Sequence, residues 1–306
     1  MKRTISLSLF LIFSNLGFCQ ITTTRVAEAK KTEPELYDSL SNFLGEDYKK
    51  YKGQSLFLLP KSEDLQKYGY DGFIFDMNKR STDESNIYAC CDSYNSKYQV
   101  LQGRYFSVID VFEDPSSSFS SDAFLKIKID GTDEVLFYKY STRYSSSFPF
   151  LVVGYFEKQK QFYVGKEFLT RSFDEKYTDI NNGDEIIMKK GEYVKCLDLT
   201  IDERNYQPSL VFETEEGHKF LSSLMLMDLR SDKVLTKQQA ESYRKKFGDG
   251  NWNTILEGKI KVGFTEEMAI VSWGEPDKIN RASYGDQWVY GNQYLYFKNG
   301  KLISFN

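Results

Sequence analysis

Hydrophobic and polar positions divide this chain into stretches of different period. Ile5 to Phe13 is a short unbroken apolar run behind Lys2 and Arg3. Between Pro34 and Leu44 the apolar residues Leu36, Leu40, Phe43 and Leu44 recur at helical spacing, and Gly45 offers a stop. That spacing predicts an amphipathic helix with Pro34 in its first turn. From Tyr51 to Asp228 the runs alternate with period two and are rich in Tyr and Phe, the pattern of half-buried strands. Beyond Thr236 the helical period returns and then gives way to three short alternating runs.

In that last region Thr236-Lys237-Gln238-Gln239 matches a capping box, and the helix it starts carries Ala240, Tyr243 and Phe247 before Gly248. A short helical turn from Trp252 to Leu256 bridges to a second helix. That helix is capped by Thr265, led by Glu266 and Glu267, and stopped by Gly274 and Pro276. Strands are expected at Gln287 to Tyr290, Gln293 to Phe297 and Leu302 to Phe305. Gly291-Asn292 and Asn299-Gly300 separate them, and such pairs suit two-residue hairpin turns. Two-residue turns set the register. One face then carries Trp288, Tyr290, Leu295, Phe297 and Leu302, and the other Val289, Tyr294, Tyr296, Ile303 and Phe305. Two helices can cover only the Trp288 face. The second face is left either to pack on the N-terminal part of the chain or to bind a partner.

The β-rich stretch repeats itself. Gly103, Tyr105 and Asp110 align with Gly191, Tyr193 and Asp198 at one constant offset, and Gly53 to Leu58 echoes Gly165 to Leu169. Hairpins are expected over Phe124 to Tyr138, turning at Asp130-Gly131, and over Ser209 to Leu224, turning at Glu216-Gly217. Pro115 to Ser121, Ser141 to Ser147 and Asn78 to Lys97 read as surface loops. The expected fold is a mainly β N-terminal region of two related small β-barrel or sandwich modules, SH3-like in form. A C-terminal α+β domain, two helices on a three-stranded antiparallel sheet, follows it. The divisions are 1–19, a signal peptide; 20–50, a tether and helix; 51–158 and 159–228, the β modules; and 229–306.

Gly263-Phe264-Thr265, Trp273-Gly274-Glu275-Pro276, Gln287-Trp288-Val289-Tyr290 and Tyr294-Leu295-Tyr296-Phe297 before Asn299-Gly300 resemble the SmpA/OmlA (BamE-like) envelope domain. The resemblance covers Thr236 to Asn306. It implies two helices packed on a three-stranded sheet, in small outer-membrane lipoproteins that scaffold β-barrel assembly. The same general fold resembles that of secreted β-lactamase inhibitor proteins, and so implies binding rather than catalysis. Phe264 stands where the family usually has Met.

The first residues read as an export signal, with Gly17 and Cys19 at the −3 and −1 sites and Gln20 as the mature start. Phe18 before Cys19 departs from a lipoprotein pattern, which favours export to the periplasm or outside the cell without a lipid anchor. No later apolar run is long enough to span a bilayer. The net charge of −4 becomes more negative when Lys2 and Arg3 leave, which argues against nucleic acid and anionic membranes as partners. Aromatic residues make up 16 %, with 24 Phe and 22 Tyr, a composition that suits sheet packing. Cys90, Cys91 and Cys196 are the disulfide candidates, as an adjacent Cys90–Cys91 pair or as one of these with Cys196.

Little catalytic chemistry is visible. His218 is the sole histidine, and its place in a hairpin turn predicts an exposed, inert side chain. Asp179 to Glu185 has alternating oxygen ligands but lacks the calcium-loop spacing, so it reads as a tight turn. No catalytic, cofactor or metal residues are assigned. The resulting expectation is an exported, non-catalytic envelope scaffold whose partner is an envelope protein or its own N-terminal modules. The alternatives are a secreted inhibitor or ligand-binding protein using the aromatic C-terminal face, and a carboxylate-based hydrolase.

Overall fold

Alternation places every second side chain of the long strands inside, and the sheets follow from burying that row. The computed structural model describes residues 37, 39–114, 122–170, 176–188, 191–224, 234–283 and 285–306. It is mainly β, with several antiparallel sheets. The segments expected to be a signal peptide and, for the most part, a tether, together with Pro115 to Ser121, lie outside the described residues.

The first part carries β1 (Ser55–Leu58), the turn α1 (Glu63–Gln66), β2 (Phe73–Ile74), β3 (Cys90–Asp92), β4 (Asn95–Ser96), and the turn α2 (Tyr98–Leu101). These are followed by β5 (Tyr105–Glu113), β6 (Ala123–Ile129), β7 (Val135–Tyr140) and β8 (Phe150–Val152). One sheet runs β2-β7-β6-β5-β1-β8, and β3 and β4 pair separately. β6 and β7 form the hairpin at Asp130-Gly131. The sheet's core is aromatic. The Phe150 ring lies 4.9 Å from Tyr138, 5.5 Å from Phe148, 5.6 Å from Phe106 and 5.7 Å from Phe73.

Tyrosine can enter such a core only if its hydroxyl finds a partner. Tyr51, Tyr70, Tyr138 and Tyr140 are buried, and their hydroxyls donate to the main-chain carbonyls of Asn42, Leu59, Ser147 and Gly45 at 3.0, 2.8, 2.7 and 3.2 Å. Each ring therefore fills the core while its tip ties down a loop. Burial pushes their ionisation upward, that of Tyr140 to about 12, so they remain neutral donors.

The helix expected over Pro34 to Leu44 does not continue through its described portion. Residues 39–44 have no helical turn, and the 3₁₀ helix is Gly45–Tyr51, beginning at the glycine expected to stop it. The cause is Asn42. Its amide Nδ2 donates to Phe150 O at 2.7 Å and its Oδ1 accepts from Val152 N at 2.8 Å. Phe150 and Val152 turn these groups away from β1, so one side chain satisfies the free edge of β8. The Tyr51 hydroxyl holds the strap from the other side, accepting from Leu44 N at 2.9 Å. Asn78 to Lys97 also departs from a plain surface loop. Asn86, Ile87, Tyr88 and Ser96 are buried within it.

β8 runs directly into α3 (Val153–Tyr163), a helix the alternating pattern hides. Its buried residues are Phe156 and Tyr163, two turns apart, and its remaining positions are largely Gln, Lys and Glu. The boundary drawn between residues 158 and 159 falls inside it. The second sheet runs β14-β13-β12-β9-β15, from β9 (Glu167–Leu169), β12 (Tyr193–Asp202), β13 (Gln207–Thr214), β14 (Lys219–Ser223) and β15 (Leu235–Thr236). β10 (Lys176–Thr178) and β11 (Glu185–Ile187) form a hairpin of their own. The expected turn at Glu216-Gly217 joins β13 and β14.

β5 shifts register between Val108 and Asp110, and β12 between Cys196 and Asp198. Beside each shift a glycine N–H is bonded to the strand, Gly53 to Val108 O at 2.9 Å and Gly165 to Cys196 O at 2.8 Å. Each aspartate accepts the next residue's N–H and meets a lysine, Lys52 at 2.8 Å for Asp110 and Lys160 at 2.7 Å for Asp198.

The chain ends in α4 (Lys237–Phe247), α5 (Asp249–Leu256), α6 (Glu266–Trp273), β16 (Lys278–Ala282), β17 (Gly285–Tyr290), β18 (Gln293–Lys298) and β19 (Lys301–Phe305). Thr236 and Gln239 form the capping box of α4, and Thr265 accepts from Met268 N to cap α6. The expected turn at Trp252 is a two-turn helix, and the expected three-stranded sheet has four strands. β16 escaped notice because Lys278–Ala282 is exposed throughout and shows no apolar alternation. Trp288, Leu295, Phe297 and Leu302 share a core with Ala240, Phe247, Trp252, Ile255 and Ala269. Leu169 and Leu235 of the second sheet join the same cluster.

Replacing Asn42 with Ala should unmask Phe150 O and Val152 N on the outward side of β8. A loss of about 1–3 kcal/mol is expected, read as a lower denaturant midpoint with unchanged slope.

Candidate interaction face and the Asp179–His218 pair

The strand register decides which side of the C-terminal sheet is left outside. Trp288 pairs with Leu295 and Phe297 with Leu302, all buried. The opposite rows are Lys278, Val289 and Tyr294, and then Asn280, Gln287, Tyr296 and Ser304. A hydrogen-bonded ladder crosses three strands in the second row. Asn280 Nδ2 donates to Gln287 Oε1 at 2.9 Å, and Gln287 Nε2 donates to the Tyr296 hydroxyl at 3.2 Å. Val289, Tyr294 and Tyr296 are half-buried, whereas Ile303 is 52 % exposed.

The structure divides the expected face. Val289, Tyr294, Tyr296 and Ile303 stay on the outer side. Phe305 does not share their row: β19 shifts register between the partners Tyr296 and Phe297, so Phe305 stands opposite Leu295. An extra residue in one strand moves all that follows to the other face. Phe305 lies at the sheet margin, 45 % exposed. The outer face is thus more polar than alternation alone suggests, with an amide ladder of Asn280 and Gln287 that ends on Tyr296.

Of the three cysteine candidates, Cys90 and Cys91 are joined to each other. Cys196 is a free thiol, fully buried in β12 opposite Phe212. Burial pushes its ionisation up to about 12, which makes it a poor nucleophile and metal ligand.

His218 departs from the expectation of an exposed, inert side chain. Its Nδ1 lies 2.8 Å from Asp179 Oδ2, and its Nε2 is 3.7 Å from Glu216 Oε2. Asp179 is buried at the start of the β10–β11 turn, where its Oδ1 also accepts from Asn181 N at 2.9 Å. Ile180 N donates to Lys219 O at 2.8 Å, and the Tyr177 and Phe220 rings lie 4.3 Å apart. Together these contacts fasten the hairpin to the edge strand β14. Asp179 to Asp184 is a tight turn, closed by Asp179 N to Asp184 O and by Gly183 N to Asp179 O, both 2.8 Å. The Asn181 N–H and then His218 hold the Asp179 carboxyl below the usual range. Sequence gave no cue to the pair, whose members are 39 positions apart.

A groove of about 640 Å³ opens at the start of α4, lined by Phe162, Lys166, Glu167, Lys237 and Glu241. Its charges are engaged already. Lys237 Nζ is 2.9 Å from Glu167 and lies over the Tyr193 ring, while Lys166 sits 4.1 Å above Phe162. Among the described residues no group of three or more His, Cys, Asp or Glu is placed to hold a metal ion, and no helix is long and apolar enough to cross a membrane. No protein-family model matches the chain, and no curated protein and no solved structure matches it.

Asp179→Asn should loosen the β10–β11 hairpin and lower the denaturant midpoint at neutral pH. A depressed folded value means that the carboxylate's contribution is fully present above the unfolded value of about 3.9. It is lost as the pH falls through the lower folded value. The gap between wild type and variant should therefore narrow below about pH 4, as followed by urea titrations across that range.

Proposed function

We propose that this is an exported, non-catalytic binding or scaffolding protein of the cell envelope, whose C-terminal region is BamE-like and contacts a protein partner through the outer face of its sheet. The observation that carries this reading is the state of that face. Residues 33–306 form one compact unit, yet Ile303 remains largely exposed beside the half-buried Val289, Tyr294 and Tyr296. Tyrosines beside a hydrogen-bonded amide ladder that ends on Tyr296 supply both apolar area and oriented polar groups, the mixture that protein interfaces favour. Export rests on the charged and apolar pattern of residues 1–19. The scaffold role rests on the BamE-like motifs in residues 236–306.

The two β-rich parts are proposed to have arisen by duplication. What supports this is the recurrence of one arrangement at corresponding places. Each has a bulge in the central strand, an aspartate just beyond it bonded to the next N–H and to a lysine, and a glycine N–H bonded beside the bulge.

A photo-crosslinking residue at Tyr296 in the full chain should give a discrete adduct with an envelope protein. The double substitution Tyr296→Asp and Ile303→Asp should weaken binding to the identified partner by on the order of 2 kcal/mol, roughly thirtyfold, while the C-terminal region stays folded by circular dichroism. Absence of an adduct together with unchanged binding would discard the face as an interface.

A further inference from the structure

The β3–β4 hairpin combines a covalent bond with an unusual backbone. Ala89, Ser93 and Tyr94 all have positive φ, at 46, 50 and 64°, a region that L residues other than Asn and Asp seldom occupy. Cys90 and Cys91 are bonded between them and are only partly buried. The loop displays Tyr94, 70 % exposed. It is held on its flanks by Lys97 N to Ala89 O at 3.0 Å, Tyr98 N to Asp92 Oδ2 at 2.9 Å and Asn95 Nδ2 to Tyr68 O at 2.8 Å. Further out, Tyr70 and Ser96 exchange main-chain bonds at 2.9 and 3.0 Å, and the Tyr88 hydroxyl donates to Glu134 at 2.7 Å. Gly69, with φ of 57°, lies so close to Ser96 O that a side chain would not fit.

We propose that the Cys90–Cys91 bond is a thiol-responsive clip that sets the conformation of the Tyr94 loop. With the sulfurs joined, residues 90 and 91 lose torsional freedom, and their neighbours are kept left-handed. The reductant is a thiol, either a small molecule or a protein dithiol. Its thiolate attacks one sulfur, forming a mixed disulfide and releasing the other as a thiolate that takes up a proton. A second thiol then displaces the first cysteine. The protein gains two electrons and two protons, and two reductant thiols become one disulfide. Once released, Ala89, Ser93 and Tyr94 can return to negative φ, which re-aims the Tyr94 ring. The change stops at the buried Tyr88 and Tyr98, so the sheet below is untouched.

The test uses the full chain under native conditions, treated with graded dithiothreitol and then iodoacetamide. Peptide mass spectrometry should find no label on Cys90 or Cys91 without reductant, and with it one label on each but none on the buried Cys196. Amide exchange in residues 89–97 should then rise on the order of tenfold, with β5 and β6 unchanged. The double substitution Cys90→Ser and Cys91→Ser should reproduce the faster exchange. If that variant does not fold, reduction of the wild-type chain still decides. Label on Cys90 or Cys91 without reductant, unchanged exchange after reduction, or reduction only upon unfolding of β5 and β6 would each overturn the proposal.

Discussion

The interior of the first sheet depends on aromatic rings whose polar ends must still be satisfied. Burying a tyrosine gains apolar contact at the ring and costs dearly at an unpaired hydroxyl. Tyr51, Tyr70, Tyr138 and Tyr140 meet both conditions by reaching loop carbonyls. The short strands β1, β2 and β8 have few ladder bonds, and these hydroxyls fix the segment ahead of β1 and the connections after β1 and before β8. Composition and architecture are linked here: the loops of this half are held from inside.

What could be read from the sequence was local in origin. The hairpins at Asp130-Gly131, Glu216-Gly217 and Asn299-Gly300 follow from residues that tolerate positive φ, and the caps at Thr236 and Thr265 from side chains within one turn of their targets. What could not be read depends on distant partners. Asn42 abandons a helical pattern because β8, more than a hundred positions later, offers two unpaired groups. α3 is invisible because only Phe156 and Tyr163 of its residues are buried, too few to show a stripe. Asp179 and His218 meet through the docking of two hairpins. β16 lacks an apolar face to announce it.

The outer face of the C-terminal sheet shows how one inserted residue edits a surface. Strict alternation groups Phe305 with the tyrosines, but the shift in β19 moves it away, and Asn280 and Gln287 take a larger share of the neighbouring row. The face that remains is small, patterned and directional, and the spacing of its polar atoms constrains what can lie flat upon it. Recognition there would turn on matching that row of amides as much as on covering apolar area.

The strap at Asn42 carries a different consequence. An edge strand with its outward groups free is a template onto which another chain can add itself. By occupying Phe150 O and Val152 N with one side-chain amide, the segment ahead of the first strand acts as a stopper for that template. Losing that amide would leave Phe150 O and Val152 N open to another chain's strand, so the asparagine that anchors the strap also guards the rim against self-association.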